Sequence, residues 1–279
     1  MNTIILPDEL NLDSSTSVNV YDYKSSKEIS KQQITLNKNT FSFLREGTKE
    51  IVFDTSSLSI NHTEFLLMKS GHCLMTEKLC GIKKHYKSVL LFFSNDAVYK
   101  LIRKLDLNTN KSNDNKSIFA FEFDQFIERF VDSLYDISKL SRTTQKKILE
   151  VKLEEILLYL IETKGIDFLF SLVANNDDTT QKFIRTIENN QLNKLTLKEL
   201  AFLCDMSISS FKRTFEKHYK ESPIKWFQDK RLEYAFYLLR EEKKRSSDIY
   251  LDIGYENLSS FVQAYKSKYG VTPKQHQKD

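Results

Sequence analysis

The sequence predicts an α+β protein of two domains, a β-rich N-terminal part completed by helices and an all-helical C-terminal part. Three observations predict it. Apolar runs of short period follow Phe41, helical spacing takes over after Asn95, and Asn175–Thr180 (NNDDTT) has no apolar side chain and reads as a linker. With 279 residues, each part is long enough to bury its own core. The expected division is 1–174, linker 175–180, and 181–279.

In the first part, FSFLR (41–45), EIVFD (50–54), LSIN (57–60), EFLLMKSG (64–71) and YKSVLLFFS (86–94) read as strands of a small antiparallel sandwich or barrel. Asn95–Leu105 then carries Val98, Leu101, Ile102 and Leu105 on one side, with Asn95 or Asp96 suited to its N-cap. The polar stretch Asn108–Lys116 has the composition of a disordered segment. Two longer amphipathic helices are expected over 124–139 and 143–162, the second capped by Thr143 or Thr144 and stopped near Gly165. Such a pair is either intramolecular cover for the β unit or a dimer seam.

Composition narrows the class. No apolar run reaches the ~18 residues a membrane span needs, and Met1–Leu10 lacks the basic-then-apolar order of a signal peptide. Three scattered cysteines, Cys73, Cys80 and Cys204, fit a reducing compartment, so a cytoplasmic protein is expected. Charge is uneven: residues 181–279 hold 19 Lys+Arg against 13 Asp+Glu, leaving 23 against 25 for the rest. The basic third points to nucleic acid as a partner.

That third has a repeated grammar. Leu195–Leu203 opens on Thr196 with Glu199 three residues on, a capping box, and buries Leu197, Leu200, Ala201 and Leu203. Cys204–Met206 turns the chain, Ser207 caps a second helix, and Phe211 and Phe215 face inward at i, i+4. This is a helix-turn-helix over 196–218, with Ser209, Ser210, Lys212, Arg213 and Glu216 outward. A second unit over 247–269 has Ser247 as a cap, Asp248–Ile253 as first helix, Gly254-Tyr255 at the turn, Asn257 as second cap and Phe261 with Tyr265 inward. Leu258, Ser259, Ser260, Gln263, Lys266 and Lys268 face away. Ile224–Arg240 between them is one amphipathic helix, about 25 Å long at ~1.5 Å per residue. Two readers in successive major grooves stand roughly 34 Å apart.

From Leu195 to Gln277 the chain resembles the DNA-binding domain of the AraC/XylS transcription regulators. Ala201, Ser207, Phe211, Phe215, Pro223, Arg231-Leu232, Ala235, Leu238-Leu239, Ile249, Gly254-Tyr255, Ser260-Phe261, Tyr265-Lys266, Gly270 and Pro273 stand at the family's spacing. The resemblance implies base contacts from Ser209, Lys212 and Arg213 and from Leu258, Ser259 and Gln263. Ser207, Asn257, Arg231 and Lys266, with Ser210 and Ser260 beside them, suit phosphates. Tyr250 stands where the family has a small Ala, Gln263 replaces a basic residue, and His276 and Gln277 replace an aromatic-Arg ending, so the first unit is expected to carry most specificity.

The resemblance further implies an N-terminal cupin-like β-barrel with a helical dimerisation segment, and double-stranded promoter DNA, RNA polymerase and a second copy of the chain as partners. Residues 143–162 resemble the family's dimer helix, with Leu149, Leu153, Ile156 and Leu160 as its outer candidates. The runs 41–53, 64–75 and 86–94 look like those of type III secretion regulators, which answer to a blocking protein; a small-molecule effector in the barrel is the alternative. An enzyme, a cupin-type metal enzyme or a methyltransferase fused to this reader, is disfavoured: no clustered His/Glu set or Pro-Cys-His motif is present. His62, His72, Cys73, Cys80 and His85 lack zinc-site spacing, and Lys83, Lys84, His85 and Lys87 read as a basic turn, so no metal or cofactor is expected. An interaction protein that has lost DNA binding is the third reading.

Overall fold

A computed structural model describes residues 3–13, 16–81, 84–106, 116–173 and 179–277. Most of the expected linker, the polar stretch 108–115 and Lys83 of the expected basic turn lie outside the described residues. The chain divides into two compact units, Met1–Phe183 and Ile184–Asp279.

Among the described residues, unit 1 holds ten strands: β1 (Ile4–Leu6), β2 (Val18–Ser25), β3 (Ile29–Leu36), β4 (Asn39–Glu46), β5 (Thr48–Val52), β6 (Ser57–Ile60), β7 (Glu64–Met68), β8 (Gly71–Lys78), β9 (Tyr86–Phe93) and β10 (Ile118–Glu122). Its helices are α1 (Asn95–Lys104), α2 (Gln125–Ser138), α3 (Arg142–Lys164) and α4 (Asp167–Val173). The strands form two five-stranded sheets, ordered β1-β3-β8-β5-β6 and β10-β7-β4-β9-β2. The α+β class is as expected, but the barrel is not closed. Closure needs β2 or β10 to pair with β1 or β6, and each ladder ends at those edges.

The second sheet is buried on both faces. Phe41, Phe43, Phe65, Leu67, Val89 and Leu91 point to the helices, whereas Leu44, Leu66 and Met68 point to the first sheet. Period-two alternation sends successive apolar residues to different cores, so these strands read as unbroken apolar runs. The chain passes from the second sheet to the first at Gly47. Its φ is +105°, and an added Cβ would stand 2.6 Å from Tyr86 Cδ2 and 2.7 Å from Lys78 O, so only glycine fits. Cys80 Sγ accepts the Gly47 amide at 3.0 Å, giving that thiol a structural task. Burial pushes the Cys73 thiol up to about 12, which keeps it protonated and inert.

Helix α1 is capped by Ser94 rather than Asn95 or Asp96, and α3 begins after Ser141 rather than at Thr143 or Thr144. Gly165 ends α3 at φ +83°, as the sequence suggests. The dimer-seam candidates need correction. Leu149, Leu153, Ile156 and Leu160 are at most 3% exposed and belong to the protomer's own core with Phe130 and Leu134. The outer face of the second sheet is apolar and must be covered, and this stripe of α3 covers it.

Lys49 and Glu77 are directly opposed on β5 and β8, 2% and 3% exposed, with Nζ and Oε1 3.3 Å apart. Lys49 also donates to Ser42 Oγ at 3.0 Å. Removing one partner leaves an uncompensated buried charge, whereas replacing both removes the desolvation cost with the attraction. Lys49→Met should therefore cost about 3–5 kcal/mol in urea unfolding of the full chain, and Lys49→Met/Glu77→Leu should recover most of that loss.

Candidate nucleic-acid interface

The division between units falls within α5 (Thr179–Asn189). Unit 2 continues with α6 (Leu197–Leu203), α7 (Ile208–Tyr219), α8 (Pro223–Arg240), α9 (Ser246–Ile249), α10 (Leu258–Tyr269) and α11 (Pro273–His276). The Thr196–Glu199 capping box starts α6: Glu199 N donates to Thr196 Oγ1 at 3.2 Å and Thr196 N to Glu199 Oε2 at 2.6 Å. Cys204 caps the other end and Asp205 takes φ +56°, the left-handed bend of the turn. Ser207 Oγ then accepts Ser210 N at 3.2 Å and opens α7.

The inward face of α7 is aromatic. Phe211 and Phe215 are fully buried, with ring centroids 5.9 Å apart. Phe215 also lies 5.6 Å from Trp226 and 5.8 Å from Phe227 of α8. Ala201 of α6 is buried, and its carbonyl accepts Met206 N at 2.9 Å across the turn. Opposite these aromatics, Ser209, Lys212, Arg213 and Glu216 are exposed and Ser210 is half-buried, its hydroxyl bonded to Ser207 Oγ at 3.0 Å.

The second unit repeats this with a shorter first helix. Helix α9 spans four residues, begins after Arg245, and contains Ser247 instead of being capped by it. Ser247 Oγ turns to Asp248 Oδ1 at 2.8 Å, so its hydroxyl is spent on that side chain. One further helical bond, Ile253 N to Ile249 O, leads into Gly254 at φ +91°. An added Cβ there would stand 3.6 Å from Arg231 Cδ, which places the half-buried Arg231 stem against the turn. Asn257 Oδ1 accepts Ser260 N at 2.8 Å and starts α10. Phe261 and Tyr265 are buried among Leu232, Ala235, Leu238, Leu239, Ile249 and Ile253, with Tyr250 packed at the edge.

Leu258, Ser259, Ser260, Gln263 and Lys266 remain exposed on the other side. Lys268 differs from its expected outward role. Its ammonium donates to Asp229 O at 2.9 Å and pairs with Asp229 and Glu233 carboxylates at 3.2 Å each, fastening α10 to α8. The Glu233 carboxyl is held below its ordinary value by hydrogen bonds from Lys230 and then Lys268. The altered chain ending has an internal role too: Tyr265 Oη and His276 Nδ1 are 2.9 Å apart, and Gln277 donates to Lys244 O.

Between α8 and α10 runs a groove of about 720 Å³, lined among others by Gln228, Leu232, Gln263, Ala264, Ser267 and Lys268. Gln228 and Ser267 were not among the sequence candidates. The signal for Gln228 was present in the 3–4 spacing of Lys225, Gln228, Asp229 and Leu232 on one stripe of α8, and that for Ser267 in its place four residues after Gln263 on α10. Among the described residues, no group of three or more His, Cys, Asp and Glu is placed to hold a metal, and no helix is long and apolar enough to cross a membrane.

Two family models match the chain, the ExsA N-terminal regulatory domain over residues 39–172 and a helix-turn-helix domain over residues 200–279. Each model matches less than half of the chain, which is thus similar to ExsA-type regulators in its first part and to helix-turn-helix domains in its last. It is 28% identical over 162 residues to the virulence regulon transcriptional activator VirF of Yersinia enterocolitica, covering 57% of this chain and 59% of VirF. It is 27% identical over 124 residues to the HTH-type transcriptional regulator ExsA of Pseudomonas aeruginosa, covering 44% and 45%. The aligned region thus spans less than two thirds of these relatives. ToxT from Vibrio cholerae, in a crystal structure with unsaturated fatty acid bound, aligns over 95% of both chains at 16% identity and a TM-score of 0.42.

Capping fixes where each outer face begins, so its loss should be measurable without DNA. Ser207→Ala and Asn257→Ala should each lower stability by about 1 kcal/mol in urea melts, and Asn257→Gly by only a few tenths.

Proposed function

We propose that the chain is a sequence-specific DNA-binding transcription activator that acts in the cytoplasm on double-stranded promoter DNA. The observation that carries this reading is the pairing of two capped helices, each with an aromatic back buried and a polar face left open, on the single helix α8. Buried backs fix the helices' orientation, and open faces supply donors and acceptors of base-reading type. Arg213 and Lys212 are the guanine donors in this reading, Gln263 the adenine partner and Leu258 the contact to a thymine methyl, with Ser209 and Ser259 beside them. Ser207, Ser210, Asn257, Ser260, Arg231 and Lys266 position the phosphate backbone.

RNA polymerase is the second partner, and unit 1 is where the controlling signal enters. The protein works as a homodimer, and since Leu149, Leu153, Ile156 and Leu160 are committed inside, the seam lies on the opposite side of α3. Val151, 63% exposed, and Leu158, 43% exposed, share that side seven residues apart.

Gel-shift titration of the full chain against its promoter tests the DNA reading. Arg213→Ala should weaken specific binding by about 1–3 kcal/mol while leaving non-specific binding much less changed. Lys266→Ala should weaken all sequences alike and reduce the salt slope by about 1. Unchanged promoter affinity in Arg213→Ala, or a flat salt response in the native chain, overturns the reading.

A further inference from the structure

The two helix-turn-helix motifs meet at a second place besides α8. At the turn of the second motif, an added Cβ on Gly254 would stand 3.5 Å from Lys194 Cγ as well as 3.6 Å from Arg231 Cδ. These are ordinary van der Waals distances, so both stems lie against the side of the turn that glycine leaves bare. Lys194 belongs to the loop that leads into α6, the opening helix of the first motif. That loop therefore touches the turn of the second motif directly, with Arg231 of α8 beside both.

The loop is built to hold this position. Asn190 is fully buried, and its Nδ2 donates to Thr186 O of α5 at 2.9 Å. Its Oδ1 accepts Asn193 Nδ2 at 2.8 Å, Asn193 N donates to Asn190 O at 3.1 Å, and Leu195 N donates to Asn193 O at 2.8 Å. Lys194 is thus placed by bonds on either side of it, and the Thr196–Glu199 capping box fixes α6 immediately after. Across the contact, Gln228 Nε2 of α8 donates to Tyr255 Oη at 3.4 Å and braces the turn from the same helix as Arg231. Arg231 Nε is buried without a hydrogen-bond partner among the described residues, so at this depth packing of the stem holds the side chain.

Lys194 and Gly254 are exposed and Arg231 is half-buried, so the contact buries little apolar area and adds little to stability. What it adds is geometry. Packing on α8 fixes each motif to a shared rod, whereas this contact ties one motif to the other away from the rod. A second attachment off the axis removes the twist that a single axis leaves. One base pair inserted between two half-sites moves the second by ~3.4 Å along the duplex and about 35° around it. Readers tied at two points cannot follow that displacement without breaking one attachment.

We propose that Lys194 and Arg231, packed on the Gly254 turn, are positioning residues whose aliphatic stems set the half-site spacing that the chain accepts. The proposal rests on the DNA reading above; Arg231 keeps its phosphate role at the guanidinium, and its stem carries the second task.

Two measurements on the full chain test it. In the first, spin labels sit on Glu216→Cys of α7 and Ser267→Cys of α10, both exposed, and Cys80→Ser removes the exposed native thiol while keeping an acceptor for the Gly47 amide. Without DNA, Lys194→Ala/Arg231→Ala should roughly double the spread of label separations at an unchanged far-UV spectrum. Lys194→Met/Arg231→Met keeps the stems, loses the charges, and should leave the native spread. In the second, gel shifts on the unlabelled chain compare the promoter with versions one base pair longer or shorter between half-sites. The native chain should lose about tenfold or more in affinity on the altered spacings. The Met pair should bind every version more weakly but keep that ratio, and the Ala pair should reduce it to less than about threefold. An unchanged label spread in the Ala pair, equal spreads in the two pairs, or an undiminished spacing ratio in the Ala pair overturns the proposal. If the native chain fails to bind its promoter specifically, the regulator reading falls instead, and the label spread decides the positioning claim without DNA.

Discussion

Unit 2 depends on α8 being shared by two cores. Phe227, near its start, packs on Phe215 of the first helix-turn-helix, and Leu232, Ala235, Leu238 and Leu239 pack on Phe261 and Tyr265 of the second. An 18-residue helix is stiff over this length, so neither outer face can turn without unpacking aromatic side chains from its own core. The Lys268 bonds to Asp229 and Glu233 add a polar fastening on the second side. The two open faces are therefore held in a constant mutual relation, which is what reading a fixed DNA spacing demands.

Unit 1 is organised by a different constraint. Its second sheet is apolar on both faces, and each face needs a partner: α1–α4 on one side and the first sheet on the other. Assigning α3 to that cover removes Leu149, Leu153, Ile156 and Leu160 from any contact with a second chain. The first sheet has fewer apolar residues to offer, and it carries Lys49 and Glu77 inward. A charged pair cannot fill space as densely as branched aliphatics do, and an inter-sheet cavity lies where the pair sits.

Legibility followed burial. Strands β4, β7 and β9 were readable because both of their faces are buried and each carries a dense apolar stretch, as in FLLM and VLLFF. Strands β2 and β3, written VNVYDYKS and ISKQQITL, went unread. They mix polar and apolar positions because one side meets solvent or the Lys49–Glu77 region, and only pairing with β9 and β8 makes them strands. The four-residue α9 was overdrawn for a related reason. Asp248–Ile253 has helical spacing, but regular helix stops at Ile249, and only the Ile253 N to Ile249 O bond carries the turn on to Gly254.

The helix-turn-helix units were determined by the sequence itself, because their signals are local: Thr196 with Glu199, Ser207 and Asn257 as caps, and aromatic residues four apart. Such caps and pairs act within one or two turns of chain, so reading them needs no tertiary knowledge. Only the tertiary structure decided that the β unit stays an open pair of sheets, that α3 turns its leucines inward, and that Lys49 meets Glu77. Each of these is a contact between segments distant in the chain, where an apolar or charged residue has several competing partners and packing selects one.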